Sequence, residues 1–311
     1  MTKSSNDAVP IELTAVLVAV TDEEPRVLTI KGGKALPSGP FSSDHSTLQT
    51  GLRSWVESQT HHPLGYLEQL YTFADRDRMQ GGAQGRLISI SYLGLIREAA
   101  VSGEQGPRWH GWYRYFPWED WRDGPSKLVA RPILSRLRQW AAEASDAAMR
   151  RERTHRVEAT FPGSERYWNE DLVLQRYELL YEAGLVPEAS RRRPVVDPVP
   201  PGERMAFDHR RILATGIARL RAKIKYRPIV FELMPPSFTL LQLQRAVEAL
   251  AGRRLHKQNF RRLIDQQGLV EETGEMSTES GGRPAKLFRF RREVLLERAL
   301  VGTKLPLSRS S

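Results

Sequence analysis

Cysteine is absent from this 311-residue chain, which excludes disulfides, thiolate zinc sites and a cysteine nucleophile. No run of 18 or more apolar residues occurs, so no helical membrane span is expected. The opening MTKSSNDAVPIEL places no apolar stretch behind a basic one, which argues against secretion and for a cytoplasmic protein with no membrane partner. There is no Walker loop, no GxGxxG after a strand, no internal repeat and no long low-complexity segment. What remains has 40% hydrophobic and 27% charged residues, a globular composition with length enough for two domains. Acid is the scarcer charge. The formal net charge of +10 points to a polyanionic partner.

The excess positive charge is concentrated. Between Arg210 and Arg262 stand 13 Lys and Arg against two acids, Glu232 and Glu248. An isolated run of this kind is most often a solvated face. Here it coincides with a recognisable outline over residues 255–290, LHKQNFRRLIDQQGLVEETGEMSTESGGRPAKLFRF. A basic amphipathic helix leads into a short strand, a polar Gly/Ser-rich tip, Gly281-Gly282-Arg283-Pro284 and a second strand. That is the order of a winged helix-turn-helix, whose recognition helix has the width of the DNA major groove. Thr239 is placed to cap the preceding helix, whose Leu240, Leu243, Val247 and Leu250 share one apolar face, and Gly252 ends it. The recognition helix then exposes His256, Lys257, Gln258, Asn259, Arg261 and Arg262, with Phe260, Leu263 and Ile264 facing inward. Asn and Gln can read adenine, and Arg can read guanine. Arg283 and Lys286 are expected to meet phosphate or the minor groove.

The N-terminal half reads differently. Residues 11–20 form an apolar run expected to be a buried strand, with 27–30 as its hairpin partner. Residues 47–58 carry Leu48, Leu52, Trp55 and Val56 at helical spacing. Residues 69–73 and 86–96 alternate like paired strands. Four of the seven Trp lie in 108–122, a density most often due to core packing. Residues 131–153 are expected to be one helix, and 169–183 another with Asn169 as N-cap and Gly184 ending it. SRRRPVVDPVPPG (190–202) reads as an extended linker, and 206–225 as a basic helix. Asp208-His209 at its start is better explained by helix capping than by an acid/base dyad, and the adjacent pair His61-His62 by a helix-end surface than by a metal site.

The segment LPSGPFSSDHSTLQTGLRSWVESQTH resembles the Nudix box, G-x5-E-x7-R-E-U-x-E-E-x-G-U, with U an aliphatic residue. Aligning Gly39 with its first glycine puts Arg53 on the family arginine and Glu57 on the first glutamate of the E-E pair. His45, Ser54 and Ser58 occupy the other acidic positions, Thr60 the late glycine, and Trp55 and His61 aliphatic positions. Nudix hydrolases cleave pyrophosphates by holding Mg²⁺ on several carboxylates of this helix. One remaining carboxylate cannot assemble that cluster. Arg53 and Glu57 are as consistent with an i, i+4 ion pair as with ligand contacts.

Further motifs resemble Nudix-related transcriptional regulators of the NrtR type. They are Glu68-Gln69-Leu70-Tyr71-Thr72-Phe73 with Arg78, Ser89-Ile90-Ser91-Tyr92-Leu93-Gly94-Leu95, Ala206-Phe207-Asp208-His209, Arg219-Leu220-Arg221, Pro235-Pro236-Ser237-Phe238-Thr239-Leu240, Asn259-Phe260-Arg261-Arg262 and Gly282-Arg283-Pro284-Ala285. The extra 127–200 segment and the degenerate box are more similar to the NadQ-like branch. The resemblance implies an α+β chain: a Nudix-like α/β/α sandwich over 8–126, a helical insertion and Pro-rich linker over 127–204, a connecting helix over 205–223, and a winged helix over 224–300. It implies a homodimeric repressor of NAD synthesis or salvage genes, not an enzyme. It needs no cofactor, binds a double-stranded DNA operator, and senses an ADP-ribose-like nucleotide, NAD or another adenine nucleotide. Arg53, Glu57, Arg78 and Arg86 are the expected effector contacts. The rival reading is an active Nudix pyrophosphate hydrolase with an appended nucleic-acid module, supported by Glu57 and remote acids such as Asp75 and Asp77. An RNA-binding protein is a third reading, disfavoured because no aromatic-rich sheet motif for base stacking is present.

Overall fold

The computed structural model describes residues 9–60, 64–74, 87–98, 106–124, 127–162, 167–191, 202–225, 229–277 and 284–291. Its centre is β1 (Ile11–Thr21), which is covered on both faces. That is why its sequence is an unbroken apolar run and not an alternation. Leu13, Ala15 and Leu17 pack toward Leu52 and Val56 of helix α1 (Leu48–Thr60). Val16 and Val18 point the other way, into a cluster containing Ile212, Leu213, Ile217 and Leu220 of helix α5 (His209–Ile224). The sheet is therefore the middle layer of an α/β/α sandwich.

β1 turns through Asp22 and Glu23, both at positive φ, into β2 (Glu24–Thr29). It also pairs antiparallel with β3 (Ser38–Pro40) and parallel with β5 (Ile88–Leu95). β4 (Tyr66–Phe73) pairs antiparallel with β5, and β6 (Arg108–Gly111) with β2, giving the order β4-β5-β1-β2-β6. The expected hairpin and the 69–73/86–96 pairing are both present. Trp112, Trp118 and Trp121 are buried, as packing residues should be.

The expected single helix over 131–153 is two: α2 (Lys127–Ala142) and α3 (Ala147–Thr160). The cause is Asp146, whose carboxylate accepts the Met149 N–H at 2.8 Å and caps a new helix; short polar side chains favour such local bonds over helix continuation. α4 (Val173–Glu182) starts later than expected. Asn169 does not cap it: its side chain accepts the Asp171 N–H, building a turn one step earlier. Gly184 does end it, at φ +73°. Asp208 stands at the N-cap of α5 without a side-chain capping bond, and its carboxylate instead lies 3.6 Å from Arg211. His209 is buried and its Nδ1 accepts the Leu36 N–H at 2.8 Å.

The C-terminal part contains α6 (Leu240–Ala251), α7 (Lys257–Gln267), β7 (Val270–Ser277) and β8 (Ala285–Phe290). Thr239 and Gln242 form a full capping box on α6. Phe238 exchanges backbone bonds with Phe288 at 2.9 and 2.8 Å, adding a third short strand to the wing sheet. One apolar cluster runs through all of this, with Val16, Tyr177, Leu213 and Phe260 among its members.

Candidate nucleic-acid interface

Helix α7 buries only Phe260 and Ile264, four residues apart on one face. Lys257, Gln258, Asn259, Arg261 and Arg262 are all exposed, as expected. Leu263 is not inward-facing: it sits on the flank of the buried stripe and is 49% exposed. The reason is spacing, since a stripe centred on 260 and 264 leaves 263 about 80° to one side at 100° per residue.

The basic run proves to be mostly neutralised. Of its twelve cations among the described residues, eight have an acid within 4 Å. Arg210 meets Glu188, Arg211 meets Glu178, and Lys223 meets Glu68. Lys225 meets Glu170 and Asp171, Arg245 meets Glu23, and Arg254 meets Asp123. Nearly all these acids lie outside the run, so sequence proximity could not reveal the cancellation. By contrast, Lys257, Arg261 and Arg262 make no ion pair among the described residues. Among the described cations of the run, the four without an acid within 4 Å are Arg219 on α5 and Lys257, Arg261 and Arg262, and the last three share α7, an element of width and polarity suited to a phosphate-lined groove. Lys286 is exposed but paired with Glu272 at 2.8 Å, and Arg289 with Glu271 at 2.8 Å, so the wing strands are close to electroneutral. Arg283 lies outside the described residues.

In the N-terminal half, Gly39 sits under the indole of Trp55, where an added Cβ would overlap the ring. The indole N–H donates to the Pro40 carbonyl at 2.7 Å, which fixes the box loop on α1. Arg53 does not pair with Glu57. It donates to the carbonyls of Leu64 and Gly65, the latter at 3.2 Å, tying α1 to the start of β4. Glu57 is exposed. Arg78 and Arg86, with His61, His62, Asp75 and Asp77, lie outside the described residues. Magnesium on a pyrophosphate needs several hard oxygen ligands together. Among the described residues no group of three or more His, Cys, Asp or Glu is placed to hold a metal, so the box as described does not fit the ion. Glu12 faces Ser38 across β1 and β3, and burial pushes its carboxyl above the ordinary value although the Ser38 hydroxyl and Lys31 oppose this. A groove of about 610 Å³ opens between α2 and α3, lined by Leu134, Arg138, Val157 and Tyr167 among others, with nothing from α1 or the sheet.

A buried charge cluster was not foreseen. Glu119 is 1% exposed and Arg176 and Arg221 are 0% exposed. Arg176 clamps both Glu119 oxygens at 2.6 and 2.8 Å, and Arg221 donates to one of them at 2.7 Å. Arg219-Leu220-Arg221 was visible as a motif, but nothing in its composition says that one arginine points outward and the other into the core.

Residues 230–290 match the model of the NrtR DNA-binding winged helix domain. The chain is 45% identical over 86 residues to the ADPR responsive transcriptional repressor NtrR of Acinetobacter baylyi; the match covers 28% of this chain and 34% of that protein. It thus spans only about a third of that relative. Among solved structures, NrtR of Shewanella oneidensis complexed with a 27mer DNA aligns over 91% of this chain and 94% of its own, at TM-score 0.55 and 20% identity. A MutT/nudix family protein from Enterococcus faecalis aligns over 94% and 90%, at TM-score 0.53 and 16% identity. The fold is therefore a Nudix-like domain joined to a winged helix, and the C-terminal segment is similar to the NrtR winged helix domain.

Proposed function

We propose that this chain is a ligand-responsive repressor that binds duplex DNA through α7 and the wing. Its Nudix-like half then serves as a sensor and not as a hydrolase. The observation that carries this reading is the unpaired cationic face of Lys257, Arg261 and Arg262, with Gln258 and Asn259 between them, inside a segment that matches a DNA-binding domain. Lys257 and the arginines supply phosphate neutralisation. Asn259 and Arg262 are the side chains that reach base edges. Arg283 and Lys286 are assigned a supporting role at the backbone, Lys286 after release from Glu272.

The effector is an ADP-ribose-like nucleotide, NAD or another adenine nucleotide. The relative from Acinetobacter baylyi is described as ADPR responsive, which supports that choice. Arg53 is occupied with backbone carbonyls, so phosphate recognition is assigned to Arg78 and Arg86, with Glu57 as a further contact. The controlled genes belong to NAD synthesis or salvage. The active form is a homodimer, because one winged helix covers too little DNA for tight specificity and two half-sites one helical turn apart double the contact.

The test is selection of duplexes from a random library by the full-length chain, followed by footprinting. A protected, two-fold symmetric site supports the reading. Failure to enrich any sequence, with binding to single-stranded RNA instead, contradicts it.

A further inference from the structure

Helix α6 carries the turn that aims α7, and its C-terminal end is held by groups from outside the winged helix. A helix end leaves its last carbonyls without intrahelical partners, and water or a local cap usually serves them. Here the Ala249 carbonyl accepts from the Tyr113 hydroxyl at 2.7 Å, Leu250 from Arg221 Nε at 2.9 Å, and Gly252 from the Trp121 backbone N–H at 2.7 Å. All three donors belong to the Nudix-like half or to α5. Gly252 is at φ +72°, and a Cβ there would overlap the Glu119 carbonyl. So the close approach depends on glycine.

The donors are themselves fixed on Glu119. Arg221 reaches its carboxylate at 2.7 Å, its carbonyl at 3.2 Å and the Tyr113 hydroxyl at 3.3 Å. Burial opposes the charge on Arg221, but Tyr113 and Glu119 hold its pKa above the ordinary value. Arg176 of α4 also grips Glu119, sharing its Oε2 with Arg221, and its guanidinium lies 3.7 Å from the Trp168 ring centroid. Downstream, Glu248 ties α6 to the α6–α7 turn: it accepts the Leu255 N–H at 2.9 Å and an Arg254 bond at 3.2 Å. Gln244 donates to the Leu255 carbonyl at 3.0 Å. No step between α4 and the start of α7 relies on an exposed contact alone.

We infer that Tyr113, Glu119 and Arg221 are positioning residues for DNA recognition. They form a joint that sets the orientation of the recognition helix relative to the Nudix-like half and the helical insertion. An effector-induced shift of residues 112–121 or α4 would thus be passed to α7 as a change in half-site geometry. The inference rests on the DNA-binding reading above for its consequence, but not for its geometry.

The absence of native cysteine makes the geometry directly measurable. Spin labels on Ser54→Cys of α1 and Gln266→Cys of α7, both exposed, would be the only thiol adducts in the full chain. The parent should give one narrow distance. Tyr113→Phe, which removes one hydroxyl, and Arg221→Lys, which keeps the charge but loses the Nε donor, should each shift or broaden it. Ser91→Ala, which removes a buried hydroxyl bonded to the Tyr71 carbonyl within the sheet, should leave it unchanged. In the same variants, the ratio of duplex affinities with and without ADP-ribose should fall toward one. An unaltered distance in folded Tyr113→Phe overturns the inference, even if Arg221→Lys fails to fold. A shifted distance in a protein that binds no duplex would instead leave the joint standing and remove the regulatory reading.

Discussion

Arg221 and Glu119 form a 2.7 Å ion pair in which neither side chain reaches solvent, although 102 residues separate them in sequence. The same carboxylate also holds Arg176, so the cluster contains two cations and one anion. Backbone carbonyls of Thr160, Asn169, Glu170 and Leu250 supply the remaining negative ends. Such a cluster is worth little against an apolar replacement of the whole, but removing one member strands a buried charge.

Glu119→Gln should therefore destabilise the chain by about 3–5 kcal/mol in urea unfolding. Glu272→Gln, which removes the exposed partner of Lys286, should cost less than about 1 kcal/mol. Equal losses in the two variants would mean that the buried cluster is not a structural centre.

Duplex affinity should fall steeply with salt, since each neutralised phosphate releases counterions. Lys257→Ala and Arg261→Ala should each flatten the slope of log affinity against log salt by about 1. Lys286→Ala should flatten it less, because Glu272 already occupies that ammonium. Asn259→Ala should cost about 1–3 kcal/mol on the selected site and little on random duplex. Titrations at several salt concentrations read all four. A larger effect from Lys286 than from Lys257 would move the main contact to the wing.

No Mg²⁺-dependent hydrolysis of ADP-ribose, NAD or dinucleoside polyphosphates is expected, because one box carboxylate remains and Arg53 is turned to the backbone. Product formation above a protein-free blank, abolished by Glu57→Gln, would restore the hydrolase reading.

Three carboxyls, Glu68, Glu170 and Glu248, lie below the ordinary value of 4.5. Burial works against each, but Lys223 and Tyr66 outweigh it at Glu68, backbone and Lys225 bonds at Glu170, and the Leu255 N–H with Gln244 and Arg254 at Glu248. A lowered carboxyl stabilises the fold above its unfolded value, and that contribution is lost as pH falls through the folded value. The contribution of these three carboxyls should be fully present above pH 4.5 and be lost below it. Glu248→Gln should make the decline shallower. Urea midpoints of the parent and this variant across the acid range check the sign, and an equal acid decline in the two would contradict it.

Much of the architecture was legible because it rests on local rules. The apolar run of β1 read as a buried strand, Thr239 as the cap of α6, and Phe260 with Ile264 as part of the inward face of α7. The break at Asp146 was missed because Ala and Arg on both sides favour helix, and one capping bond decided against them. The charge pattern misled for a different reason: partners such as Glu178, Glu119 and Glu68 lie far away in sequence. Arg53 shows the same limit. Its place in the box was readable, but its use on the Leu64 and Gly65 carbonyls depends on how the chain returns from α1 to β4.

The central claim is that a nucleotide in the Nudix-like half changes how α7 meets DNA. Fluorescence anisotropy of a selected duplex, titrated with full-length protein at fixed salt with and without ADP-ribose, tests it most directly. The account predicts sequence-selective binding whose affinity changes about 5–150-fold with the nucleotide, the usual range of coupling between sites. Affinity equal to that for random duplex, or unchanged by ADP-ribose, NAD and AMP alike, would contradict it.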